Sequence, residues 1–93
     1  MKKRKLNFIT GYITYISPEI EVNNVGRPMY LKRMVTVVSN DGQKFFGEIR
    51  KNKLTLLDSI NTRQELKIGY LFEGSERDNK KYNNIYIDTL ENV

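Results

Sequence analysis

Apolar side chains recur at every second position through most of this chain, which is the period of a strand with one buried face. Leu6 to Ile16 is rich in Ile, Tyr, Phe and Thr, carries Gly11 near its middle and stops at Ser17-Pro18. A glycine inside a long strand marks a bulge or a sharp bend. The segment from Glu19 to Pro28 reads as a polar loop, and Met29 to Ser39 and Gln43 to Arg50 read as two further strands. Asn40-Asp41-Gly42 between them is a strong hairpin signal. Over Lys51 to Ile60 the period changes. Leu54 and Leu57, and Leu56 and Ile60, fall at helical spacings, predicting a short helix with Asn52 as its cap. Alternation returns over Glu65 to Gly74, with Leu66, Ile68, Tyr70 and Phe72 on one face. A charged turn is expected from Ser75 to Lys81, and a last strand from Asn84 to Leu90.

Three strands, a short helix and two strands is the order of the OB-fold, a partly open Greek-key barrel. A five-stranded SH3-like barrel is the competing arrangement, but it usually lacks a helix at that point. The sequence therefore predicts a mainly β chain, a five-stranded OB-fold barrel over residues 6–93 with one short helix between its third and fourth strands. Residues 1–5 form a basic N-terminal arm.

Burial fixes the register of the central hairpin. A two-residue loop at Asp41-Gly42 would set Glu48 beside Val35, and a carboxylate against a core valine is costly unless partnered. A three-residue loop instead pairs Ser39 with Gln43, Val37 with Phe45 and Val35 with Gly47, and places Gly42 in the left-handed region. The outer face then carries Thr36 opposite Phe46, Met34 opposite Glu48 and Lys32 opposite Arg50. This second register is the expected one.

Composition narrows the chemistry. The chain has 93 residues, 39% of them hydrophobic, enough for one small core. It has no cysteine and no histidine, which removes disulfides, thiolate chemistry, cysteine- or histidine-bound metals and the usual general base. No catalytic residue, metal or cofactor is expected, and the chain reads as a non-enzyme. Glu73, Glu76 and Asp78 are explained by a charged turn better than by a cation site. No stretch approaches the ~20 apolar residues that span a bilayer. Asn7, Thr10, Gly11 and Thr14 break the apolar run that would make a signal peptide. A cytoplasmic protein is expected.

The net charge of +5 is unevenly placed. Residues 1–5 carry +4 and Arg27 to Lys53 carry +5, whereas Leu6 to Gly26 and Leu54 to Val93 carry −2 each. Clustered basic charge is the footprint of a polyanion binder. On the outer face of the hairpin, Lys32, Lys44 and Arg50 interleave with Tyr30, Met34 and Phe46. Cations that track phosphates beside aromatic faces that stack bases describe a single-strand platform. OB-folds bind oligonucleotides on the face of the second and third strands and on the loops between strands one and two and strands four and five. Those loops hold Arg27 and, over Ser75 to Asn83, Arg77, Lys80, Lys81 and Tyr82; Tyr86 follows in the last strand. Beside this stands a structural reading of the same residues. Exposed strand lysines guard edges, Arg77 can pair with Glu76 or Asp78, and Tyr12, Tyr15 and Tyr70 read as partly buried packing groups. Glu48 on the platform opposes phosphate. The second functional reading is a protein-interaction or accessory module of a phage or replication complex, with Tyr30, Met34 and Phe46 as an apolar contact patch.

Several short motifs carry a resemblance: Gly11-Tyr-Ile-Thr-Tyr-Ile16, Gly26-Arg-Pro-Met-Tyr30, Lys32-Arg-Met-Val35, Phe45-Phe-Gly-Glu-Ile-Arg50 and Leu54-Thr-Leu-Leu-Asp-Ser-Ile60. With these the chain resembles the small single-domain OB-fold proteins of bacteria and phages related to single-stranded DNA-binding proteins. In that family aromatics occupy the positions matching Tyr30, Arg50 and the loop between strands four and five. Here Tyr30 keeps an aromatic, whereas Arg50, Arg77 and Lys81 put cations in place of aromatics. The resemblance implies a single-strand binder, of DNA before RNA, that leans more on phosphate contact than on stacking. The chain departs from that family in one respect. Typical members recruit partners through a glycine-rich linker with an acidic tip, whereas Asp88-Thr-Leu-Glu-Asn-Val93 is not of that kind, so recruitment through such a tail is not expected here. The oligomeric state stays open, although binders of this size gain affinity by linking several sites.

Overall fold

A computed structural model describes residues 4–93, so Met1, Lys2 and Lys3 of the expected basic arm lie outside the described residues. Six strands follow one another as β1 (Asn7–Ile16), β2 (Ile20–Val22), β3 (Tyr30–Ser39), β4 (Lys44–Arg50), β5 (Leu66–Arg77) and β6 (Lys80–Asn92), with one 3-10 helix, Lys51–Ser59, between β4 and β5. Their order in the sheet is β1-β5-β6-β4-β3-β2, and a further ladder between β1 and β3 brings the sheet back onto its first strand. All pairings are antiparallel except β4 with β6, which meet in parallel at Glu48 and Tyr86.

Gly11 makes the closure possible. It is the one residue of β1 paired both to Leu66 of β5 and to Ser39 of β3, so the strand changes partners there. A Cβ on Gly11 would lie 2.3 Å from the Val38 carbonyl oxygen, closer than any side chain tolerates. The bulge sits three residues on, at Thr14, where the register with β3 shifts between Ile13 and Tyr15. Ser17 then ties the chain down as it leaves β1. Its backbone N–H donates to the Met34 carbonyl at 2.8 Å, and its hydroxyl accepts from the Met34 N–H at 2.8 Å. β2 continues along the same edge of β3, so the expected loop from Glu19 to Pro28 holds a short sixth strand.

The core is the inner face of this closed sheet: Ile13, Val35, Val37, Ile49, Leu66, Ile68, Ile87 and Leu90. Burying a side chain of this kind stabilises by about 1.5–3 kcal/mol. The hairpin takes the register that keeps this face dry. Ser39 donates to the Gln43 carbonyl, Val37 meets Phe45, Val35 meets Gly47, and Gly42 has φ +88.

Two expectations need correcting. The short helix stands where it was expected and is of the 3-10 type, but Asn52 does not cap it: the residue before it is the extended Arg50, with no side-chain cap bond. Leu54, Leu57 and Ile60 are spaced by three, which stacks them on one face of a three-residue turn, and they pack on the core with Leu56. The chain enters this helix through Lys51 at φ +56, already turned, so Asn52 falls inside the first turn. The other correction concerns Ser75 to Asn83, which is no loop. β5 and β6 stay paired to Arg77 and Lys80, and only Asp78 and Asn79, both at positive φ (51 and 63), make the turn. Positive φ at both central residues is the mark of a type I′ hairpin, favoured by the strand twist. Phe72 shares the face of Leu66 and Ile68 as expected, yet it is exposed because the ribbon has left the core by then.

Candidate nucleic-acid interface

Partners in an antiparallel ladder point to the same side of the sheet, so the registers sort the outer face into rows. Lys32 lies beside Arg50; Met34, Glu48 and Tyr86 make the next row; Tyr15, Thr36 and Phe46 the third; Tyr12, Val38 and Lys44 the fourth. Successive rows are about 7 Å apart along a strand.

A groove of about 730 Å³ opens at the first of these rows. The segment before β3 supplies Asn24, Arg27, Pro28 and Met29, β3 supplies Tyr30 and Leu31, and Arg50, Lys51 and Leu54 complete the wall. Three cations and one tyrosine therefore line it, with no carboxylate among the described residues. The Arg50 guanidinium carbon stands 3.9 Å from the centre of the Tyr86 ring and 5.9 Å from that of Tyr30. The Lys51 ammonium lies 5.1 Å from the Tyr30 ring centre. Cation–π contacts of this kind hold a charge in place without neutralising it. Burial raises the Tyr86 phenol pKa, with the Arg50 charge opposing the shift, so the ring under Arg50 is neutral at physiological pH. Lys51 is left-handed, at φ +56, which is uncommon for a residue with a side chain, and it shares the Tyr30 ring with the extended Arg50 before it. Sequence reasoning missed Lys51, whose only signal was its place beside Arg50.

The next row is less open than expected. The Lys32 ammonium donates to Glu48 at 3.0 Å, and both side chains are largely covered. The like-charge contact of Lys32 with Arg50 is thus relieved diagonally, and Lys32 is not free for a phosphate. Met34 is half-buried rather than exposed. Phe46 projects into solvent as expected, and Tyr12 and Tyr15, expected as partly buried packing groups, are more open than that, at 39% and 56% exposed.

The ribbon sorts the remaining candidates by parity. Arg77 with Lys80, Ser75 with Tyr82, and Glu73 with Asn84 share the face of Leu71 and Tyr86; Glu76 with Lys81 share the other. Arg77, Lys80 and Tyr82 therefore continue the outer face, while Lys81 lies on the reverse opposite a carboxylate. Glu73, the acid on the platform side, is held by Arg4 at 2.8 Å, which pulls its pKa down through that hydrogen bond and the adjacent charge. Arg27, Tyr30 and Arg50 are brought together at the groove, with Tyr86 behind it against Arg50; Lys44 and Phe46 lie farther along the same face, and Lys81 is not brought in. Among the described residues no cluster of acidic side chains is placed to hold a metal ion, and no helix is long and apolar enough to cross a membrane. Compared with known proteins, the chain matches no family model, no curated protein and no solved structure.

Proposed function

We propose that this chain is a non-catalytic binder of single-stranded nucleic acid, DNA before RNA, with little sequence preference, built on an OB-fold barrel akin to the single-stranded DNA-binding proteins. The strand order supports the fold. With the short β2 set aside, the five long strands close as first-second-third-fifth-fourth, and the third and fifth are parallel, a Greek-key ring. On that reading β3 and β4 are the second and third barrel strands, whose outer face is the usual oligonucleotide platform.

The observation that carries the function is the groove at Tyr30. A groove lined by Arg27, Arg50 and Lys51 around an aromatic ring, without a carboxylate, suits a phosphate with a base beside it. The backbone of a single strand would run from this groove along the outer face, with Arg77 and Lys80 of the ribbon taking further phosphates. Fluorescence anisotropy with labelled oligo-dT of about 30 nucleotides, at two salt concentrations, tests this. Duplex DNA and a matching RNA serve as competitors, and a chain lacking residues 1–5 runs alongside. The expected result is salt-sensitive, single-strand-selective binding that survives loss of the arm and weakens on Arg50→Ala. Binding that vanishes with the arm, or an equal preference for duplex, would remove the face as a nucleic-acid site.

A further inference from the structure

The outer face past the groove carries a surface that no cation contact explains. Tyr15 is 56% exposed, Phe46 64% and Tyr12 39%, and the registers bring them together. Tyr15 and Phe46 flank Thr36 in one row, and Tyr12 opens the next, two residues farther along β3. Adjacent strands lie about 4.8 Å apart, so Tyr15 and Phe46 stand about 10 Å from each other across a small side chain. Nothing large sits between them. The two tyrosines face out together only because of the bulge at Thr14, which turns Tyr15 outward and returns Ile16 to the inner side.

We infer that Tyr15, Phe46 and Tyr12 form a lane of base-stacking platforms, so that a bound strand leaves the cationic groove across β4 and β3 toward β1. This rests on the single-strand reading and adds the path of the bases. Charge selects the occupant. Lys44 is the sole charged side chain on these two rows, so the patch carries a cation, no carboxylate and three rings. That combination accepts a base with its phosphate and repels nothing in a polyanion. The lane lies on the same face as the groove, Phe46 being two rows from Arg50 on one strand, with Met34 and the Lys32-paired Glu48 in the row between.

The chain offers its own reporter, because it has six tyrosines and no tryptophan. A base stacked on a tyrosine quenches its emission. Tyrosine fluorescence and anisotropy would be followed during titration of the full chain with oligo-dT, for wild type, Tyr15→Phe and Tyr15→Ala. Circular dichroism and the thermal midpoint would establish that each variant is folded. Tyr15→Phe keeps a ring and should bind within about twofold of wild type with a smaller quench. Tyr15→Ala loses one stack and should bind about 5- to 150-fold more weakly, with the salt dependence unchanged. Should wild type bind while Tyr15→Ala binds equally well and Tyr15→Phe keeps the full quench, the lane is wrong and the groove stands. Should wild type not bind at all, the lane falls together with the single-strand reading. Should Tyr15→Ala leave binding intact but convert a dimer to a monomer in sedimentation, the surface belongs to a second copy of the chain and the inference is overturned.

Discussion

Glu48 lies on the proposed platform, where a carboxylate would oppose a phosphate, and the structure gives it a partner. Both partners of its bond to Lys32 are largely covered, so one negative and one positive charge cancel in the middle of the face. Glu48→Gln should release Lys32 toward phosphate. Affinity for oligo-dT should rise several-fold, and the slope of log K against log salt should steepen by about 0.7, the increment for one added single-strand phosphate contact. Losing the pair should cost on the order of 1 kcal/mol, read as a thermal midpoint lower by about 4–8 °C. Unchanged affinity and slope would place the strand away from this row. Asp41 acts on stability instead. It accepts from the Ser39 hydroxyl, and from the Gln43 side chain at 3.1 Å, and the Ser39 bond is the first cause of its lowered pKa. A carboxyl whose pKa is lower folded than unfolded binds protons more weakly in the folded state. Its contribution is full above the ordinary aspartate pKa of about 4 and is lost as pH falls through the lower folded value. Asp41→Asn should therefore flatten the acid limb of a stability–pH curve below about pH 4 and leave neutral-pH binding unchanged. An unaltered acid limb would show that this carboxylate carries none of it.

At the scale of elements, legibility followed parity. The β3–β4 register could be read because one choice buried a carboxylate and the other buried valines, a difference large enough to decide the pairing. Tyr15 could not be read, because strict alternation from Ile13 puts it inside and one extra residue at Thr14 reverses the side. The ribbon was hidden for a different reason. Its outer half has no apolar period, and Ser75 to Lys81 has the composition of a turn although ten of the residues from Leu71 to Tyr82 are strand. The two-residue turn at Asp78-Asn79 holds the pairing that hydrophobicity does not advertise. The register of this ribbon makes a sharper prediction than its composition. Lys80 lies on the platform face and Lys81 on the reverse, beside Glu76. Lys80→Ala should lower the magnitude of the salt slope by about 0.7 and weaken binding, and Lys81→Ala should change neither measurably. Equal effects would mean that the ribbon twists out of the platform or contributes charge without direction.

For the whole molecule, net charge is a poor guide to where a polyanion goes, because the +5 includes paired and distant cations. Lys32 is spent on Glu48, Arg4 on Glu73, and Lys53 faces Asp88 at 3.5 Å. Arg27, Arg50 and Lys51 remain at the groove, Lys44 lies along the face, and Arg77 and Lys80 lie on the ribbon. The ribbon also sets the shape. The Cα radius of gyration is 14.0 Å, against about 12 Å for a compact chain of this length, and the long axis is 40 Å. A strand that engaged groove, face and ribbon together would neutralise about six phosphates, so log K should fall against log salt with a slope of roughly −4. A strand confined to the groove would reach only about three contacts and a slope near −2. Removing residues 1–5 takes away four cations but, on this reading, none of the six. The slope should stay near −4 for the shortened chain, measured with oligo-dT long enough to span the molecule. A slope near −2 in both chains would confine binding to the groove. A collapse toward zero on shortening would assign the affinity to the arm and leave the face without a role in it.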